Sequence, residues 1–254
     1  MKGSWALITG ASSGMGCAIA QALAARGVNL FVNARREERL LSLKNELISQ
    51  HGIQVEPLVF DIRDLKQCQS ALKERASLVS KVSILVNNAG LGKGTEIVPE
   101  AAIEDWEQMI DTNLKGLLYM TRLVLPYMIE RNEGHIVNIG SVGGRWVAPG
   151  GAVYCATKFA VRAITEGLRI DLMGKKIRVT NIEPGIVKTE FNLVRFGNQD
   201  KMEDFYQGYT PLQAKDIAEA VVWCVERPAH VNVQELVIFP TDQVGVGPHY
   251  VHRT

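Results

Sequence analysis

A short apolar run at residues 5–8 passes directly into Thr9-Gly10-Ala11-Ser12-Ser13-Gly14-Met15-Gly16, and from there into a helical pattern in which Met15, Ile19 and Leu23 share one face. Few folds accept that order: it describes a buried strand, a tight turn of small residues and a helix that carries the chain back. Such a turn brings backbone N–H groups and a helix N-terminus to one point, which is an anion site suited to a pyrophosphate. The spacing is Gly-x-x-x-Gly-x-Gly, not the Gly-x-Gly-x-x-Gly of the better-known dinucleotide fingerprint. Glycine-rich turns are common, so the argument rests on its place between the first strand and the first helix. That place assigns Gly10, Ser12, Ser13, Gly14, Met15 and Gly16 to a dinucleotide.

The same rhythm continues along the chain. Apolar runs recur at residues 28–32, 55–60, 84–86, 136–139, 177–182 and 236–239, none alternating strictly enough for a half-exposed sheet. Helical patterns separate them; Leu40, Leu43 and Leu47, for example, repeat at three and four. The expected fold is α/β: a single domain over 1–254, a doubly wound Rossmann fold of about seven parallel strands with helices on both faces. Ligands then bind at the carboxyl ends of the strands. One segment, about 187–211, breaks the rhythm. It has no strand signal but carries Phe191, Phe196, Phe205, Tyr206 and Tyr209, and reads either as a lid over the site or as a helix packed on the surface.

Composition narrows the partners. The charge balance is 28 Lys plus Arg against 27 Asp plus Glu, with no long basic stripe, so neither nucleic acid nor an anionic membrane is expected. No apolar run approaches the roughly 20 residues of a membrane span, and Cys17, Cys68, Cys155 and Cys224 have no metal-ligand spacing. The expectation is a cytoplasmic protein without metal, acting on a small molecule.

About 20 residues past the loop, where an acidic residue would select NAD, stands Asn33-Ala34-Arg35-Arg36. Two forked cations suit the 2′-phosphate of NADP. Asn88, Ala89 and Gly90 end the fourth strand, where small residues allow close approach to the adenosine side, and Asp61 after the third strand is placed to accept from the adenine amine. Pro184 and Gly185, after the sixth, edge the nicotinamide pocket. Each of these is also ordinary turn chemistry.

Tyr154 and Lys158 are four apart in a helical pattern, so phenol and ammonium share a face. A phenol with a pKa of about 10 is a poor base at neutral pH, but a neighbouring cation favours its ionised form. Tyr154 can then exchange a proton with a hydroxyl or carbonyl oxygen while hydride moves, and Lys158 supports it at the cofactor. Ser141, at the end of the fifth strand, is placed to hydrogen-bond the same oxygen. Asn113, in a helix, is placed to anchor a water that relays protons from Lys158.

Taken together, Thr9 to Gly16, Asn87-Asn88-Ala89-Gly90 and the set Asn113, Ser141, Tyr154, Lys158 resemble the short-chain dehydrogenase/reductase family along the whole chain. Met15 stands where Ile or Leu is more usual. The resemblance implies cofactor contacts from Ile62, Ile186, Val187 and Thr189 as well. Within the family the chain is similar to NADP-dependent 3-hydroxy acid dehydrogenases acting on serine and allo-threonine. That similarity lies in residues 105–113, Ile182-Glu183-Pro184-Gly185, Thr189-Glu190-Phe191, Val194-Arg195-Phe196 and His252-Arg253. It implies a homotetramer and a C-terminal tail, about 241–254, that from Gly245 onward reaches a neighbouring subunit's site. A small hydroxy acid needs a cation for its carboxylate; Arg145 and Arg195 are the candidates, beside Ser141 and Tyr154 at the reacting oxygen. The same cations serve other short anionic carbonyls such as sulfonated aldehydes. A regulator that binds NADP without turnover has no use for the Tyr154–Lys158 pair.

Overall fold

The computed structural model describes residues 1–246 of the 254. Among the described residues there are nine strands: β1 (Trp5–Thr9), β2 (Asn29–Ala34), β3 (Val55–Val59), β4 (Val82–Asn87), β5 (Gly134–Ile139), β6 (Ile177–Pro184), β7 (Val187–Lys188), β8 (Leu212–Gln213) and β9 (Glu235–Ile238). The helices are α1 (Gly14–Ala24), α2 (Glu37–His51), α3 (Leu65–Lys73), α4 (Ala76–Val79), α5 (Ile103–Ile110), α6 (Leu117–Arg131), α7 (Ala152–Asp171), α8 (Glu190–Phe196), α9 (Gln199–Tyr206) and α10 (Ala214–Val225). A π-helical turn, Asp111–Gly116, joins α5 to α6.

Seven strands form one parallel sheet in the order β3-β2-β1-β4-β5-β6-β9. Chain order reverses between β1 and β4, and that reversal opens a crevice at the carboxyl edge where ligands bind in folds of this type. Successive strand residues face opposite sides. Ala6 and Ile8 of β1 therefore join a core with α1, α2 and α10 through Ile19, Leu23, Leu40, Leu47, Ile217 and Val221. Trp5 and Leu7 face the other core, with Phe31, Cys68, Leu85, Met120, Val124 and Met128. Burial on both faces explains why the strands read as continuous apolar runs in place of alternation. All four cysteines are free thiols.

The expected fold class is the observed one, with a correction at 187–211. That segment is not strandless: β7 pairs in parallel with β8 across it, and between them stand α8 and α9. Both helices are short and capped by polar side chains, Thr189 accepting from the Phe191 N–H and Asn198 from the Lys201 N–H. Their apolar contacts are aromatic pairs, such as Phe196 with Phe205 at 5.2 Å between ring centroids, which carry no simple periodicity.

Candidate active site

The turn after β1 is held from across the crevice. Thr9 Oγ1 accepts from the N–H groups of Asn88 and Ala89 at 3.1 and 3.0 Å, and Asn88 Nδ2 donates to the Thr9 carbonyl at 2.8 Å. Gly10 has φ +67°, and a Cβ there would lie 2.9 Å from Ala89 Cα. A Cβ on Gly16 would run into the Gly10 carbonyl and sit 2.5 Å from Asn88 Nδ2. Only glycine fits these two positions. The helix that follows starts at Ser13 with no side-chain cap and no acid in its first turn, so its N-terminal N–H groups face the crevice unopposed. This cradle fits a pyrophosphate. The cleft beside it is lined by Gly10, Ser12, Ser13, Gly14, Met15, Arg35, Arg36, Asp61, Ile62, Asn88, Ala89, Gly90 and Thr189.

At the far end of that cleft, Arg36 reaches back over the turn, Nη2 donating to Ser12 Oγ at 2.9 Å and Ser13 Oγ at 2.7 Å. Arg35 is mostly exposed, 3.7 Å from Asp61. Asp61 is gripped by Arg63, whose Nη2 donates at 2.6 Å; burial pushes the carboxyl up, and the Arg63 hydrogen bonds outweigh it, leaving it below its ordinary range. Sequence reasoning missed Arg63, and also Arg39 and Glu190. Glu190 lies 154 residues from Arg36 along the chain but pairs with it at 3.0 Å, a contact no local pattern announces.

The second compartment lies over the ends of β5 and β6, with an internal volume of about 240 Å³. Ser141 leaves β5 and caps the short turn Val142–Gly144, its Oγ accepting from the Gly143 N–H at 3.0 Å. Tyr154 and Lys158 project from one face of α7, and the Tyr154 ring and Ser141 Oγ converge on Gly143, each 3.3 Å from where its Cβ would lie. Lys158 Nζ donates to the Ile139 carbonyl at 2.9 Å and lies 5.9 Å from the Tyr154 ring centroid. Burial pushes Lys158 down to about 8. Burial also pushes the Tyr154 phenol up, opposed by the polar Ser141 side chain and the Arg195 charge. Arg195 is thus a second cation beside the phenol, in addition to Lys158 one turn along α7.

Asn113 sits in the π-helical turn, a feature frequent at functional sites. Its Oδ1 accepts from the Leu91 N–H at 2.9 Å, and its Nδ2 donates to the Leu91 carbonyl at 2.9 Å and to Thr157 Oγ1 at 3.0 Å. It thus ties the loop after β4 to the helix bearing Tyr154. Pro184, Gly185, Ile186, Val187 and Thr189 line the pocket from β6 onward.

Of the two expected carboxylate partners, Arg195 lines the pocket, while Arg145 does not. Arg145 turns away to Glu183 and Glu235. Glu183 is fully buried in β6, and a buried carboxylate demands a cation; Arg145 supplies it, so its fork is unavailable to substrate. The segment 187–211 contributes Phe191, Asn192, Phe196, Phe205 and Tyr209 to the lining. The Phe191 ring stands edge-on to Tyr154 at 5.6 Å between centroids. Gln243, missed in the sequence, folds back to accept from the Ile186 N–H at 2.8 Å. Residues 247–254, including His252 and Arg253 of the tail expected to reach a neighbour, lie outside the described residues.

A dinucleotide cradle opening onto a serine, tyrosine and lysine pocket at the edge of a parallel sheet defines a dehydrogenase-type protein. The pattern described as short chain dehydrogenase matches residues 4–199, and the chain belongs to that family. It is 47% identical over 249 residues to the NADP-dependent 3-hydroxy acid dehydrogenase YdfG of Escherichia coli O6:H1, spanning 97% of this chain and 98% of that protein. Sulfoacetaldehyde reductase 2 of Chromohalobacter salexigens is 46% identical over 239 residues, 93% of this chain and 94% of that one. A solved closed form of serine dehydrogenase complexed with NADP+ shares the fold with a TM-score of 0.90 and 46% identity, covering 98% of this chain and 100% of the other.

Proposed function

We propose that this protein is an NADP-dependent oxidoreductase acting on the β-hydroxyl of small 3-hydroxy acids such as serine or allo-threonine. The observation that carries the reading is the convergence of Ser141 and Tyr154 in one pocket, with Lys158 one helical turn away and the glycine cradle directly beside them. Gly10, Gly14 and Gly16 admit the pyrophosphate, Arg35 and Arg36 hold the 2′-phosphate, and residues from Pro184 to Thr189 border the nicotinamide side. The bound cofactor supplies hydride transfer. Ser141 donates to the substrate oxygen, and Tyr154 accepts its proton in oxidation or returns one in reduction. Lys158, still largely protonated at neutral pH with its pKa at about 8, places positive charge where the phenolate forms. Asn113 holds α7 in register with the loop above it and is the proposed anchor of a proton relay.

Cofactor choice gives the first test. Hydrogen bonds to charged groups contribute about 1.5–3 kcal/mol each, so Arg36→Ala is expected to lower kcat/KM for NADPH by about 10- to 100-fold. NADH should change by less than about threefold. Equal losses with both cofactors would refute the assignment.

Substrate class is decided by Arg195, which has no carboxylate within ion-pair distance among the described residues and rests on the Phe196 ring at 5.8 Å. Its guanidinium is placed for a substrate carboxylate. Arg195→Ala is expected to raise KM for a 3-hydroxy acid by about tenfold or more while sparing an uncharged alcohol. An unchanged KM would remove Arg195 from the site. The relation to sulfoacetaldehyde reductase 2 supports a second reading, reduction of a short sulfonated aldehyde, which uses the same cation. A kcat/KM higher for the sulfonated aldehyde than for every hydroxy acid would select it.

The proposal also includes a homotetramer working in the cytoplasm. Leu118 of α6, Phe159 and Ile170 of α7, and Met173 just beyond are exposed apolar side chains of the kind subunit contacts cover. Among the described residues no helix is long and apolar enough to cross a membrane.

A further inference from the structure

The adenosine end of the cleft carries an acid where an anionic ligand is expected. Arg36 Nη1 donates to Glu190 Oε2 at 3.0 Å, and Arg39 Nη1 donates to both carboxylate oxygens of Glu190 at 2.7 and 3.0 Å. Glu190 begins α8, on the opposite wall from α2, and lines the same cleft as Arg35, Arg36, Ser12 and Ser13. Its neighbour Thr189 packs on the phosphate loop, 3.3 Å from where a Gly14 Cβ would be. The hydrogen bond from Arg39 foremost, with Arg36 adding to it, holds the Glu190 carboxyl below the usual range, so it is an anion at neutral pH. Both partners stay open to solvent, with 45% of the Arg36 side chain and 44% of the Glu190 side chain exposed, so the contact can exchange.

We propose that Glu190 is an internal anion occupying the guanidinium edge of Arg36 that the 2′-phosphate of NADP takes, and that it sets how strongly the protein selects phosphorylated nucleotides. The inference rests on the NADP reading above. A phosphate dianion arriving at Arg36 must displace the carboxylate or accept its repulsion, and each alternative lowers affinity. Arg39 keeps Glu190 after the exchange, so α8 remains tied to α2 while Arg36 turns to the phosphate. A nucleotide lacking the 2′-phosphate meets no such competitor. Glu190 is thus a specificity-determining residue on α8, distinct from the arginines it pairs with.

Calorimetry of the whole protein with adenosine 2′,5′-bisphosphate and with 5′-AMP tests this without turnover. Wild type binds the bisphosphate more tightly than AMP. Glu190→Gln keeps size and hydrogen bonding but removes the charge, and it is expected to tighten the bisphosphate by about two- to fivefold, the scale of an exposed ion pair. AMP affinity should stay within about 1.5-fold. A bisphosphate affinity unchanged or weakened in Glu190→Gln, or equal tightening of both ligands, overturns the inference while the NADP reading stands. A wild-type protein that binds the two nucleotides alike overturns both.

Discussion

Tyr154→Phe is expected to lower kcat about 10³-fold, inside the range that a positioned general acid or base supplies, with the dissociation constant for NADPH within about twofold. The variant keeps the ring and hence its edge-on contact with Phe191, and Ser141 retains its bond from the Gly143 N–H. Loss of rate therefore reports loss of the proton, not of the pocket. The wild-type pH profile carries the same information with a sign. In the oxidation direction the phenol must be ionised, so the rate rises with pH through its pKa, and Tyr154→Phe removes that rise. Burial raises this pKa, while Ser141 and Arg195 lower it, so Arg195→Ala is expected to move the rise to higher pH. Near-normal turnover in Tyr154→Phe would refute the mechanism.

The parts of the site legible in the sequence are those whose partners are near in the chain or whose backbone demands a particular residue. Tyr154 and Lys158 share a helix face because four residues make about one turn, and glycine at positions 10 and 16 is forced by contacts within the turn and with Asn88. The seven-stranded sheet was legible because each strand is buried on both faces and each connection carries a helix stripe. Strand ends moved by a residue or two, as at β2, which runs to Ala34, and β4, which starts at Val82.

What the sequence could not rank were cations of equal chemistry. Arg145 and Arg195 are both arginines near the site, and their fates are set by acids on other elements. Glu183 and Glu235 lie 38 and 90 residues beyond Arg145, and together they draw it out of the pocket. Among the described residues no acid lies within ion-pair distance of Arg195. The same holds for Glu190, whose role depends on α8 folding across to α2. Helices α8 and α9 were hidden for a different reason, since aromatic clusters bury area without periodic spacing. Their punctuation was nonetheless present: Gly197, at φ +64°, ends α8, and Asn198 caps α9.

Gly16→Ala separates intrinsic helix preference from the demands of the loop. In the first turn of a helix, alanine is ordinarily better than glycine by up to about 1 kcal/mol. Here a Cβ meets the Gly10 carbonyl and lies 2.8 Å from the Gly10 carbonyl carbon, both backbone of the turn, and 2.5 Å from Asn88 Nδ2, which braces the turn from the end of β4. Backbone has to move to admit it, and overpacking of this kind costs about 1–3 kcal/mol, which outweighs the gain in propensity. A domain this size is expected to lose about 2–8 °C of Tm. Cofactor binding should suffer more than stability, because the displaced groups belong to the anion cradle and a shift of about 1 Å in a positioned site costs on the order of 100-fold. Calorimetric titration of Gly16→Ala with NADPH should show that loss. Gly167→Ala, in α7 with open space around the new Cβ, is the control, and should hold or slightly raise Tm with NADPH affinity unchanged. If Gly16→Ala bound NADPH as tightly as the control, the crevice beside β1 would not be where the pyrophosphate sits.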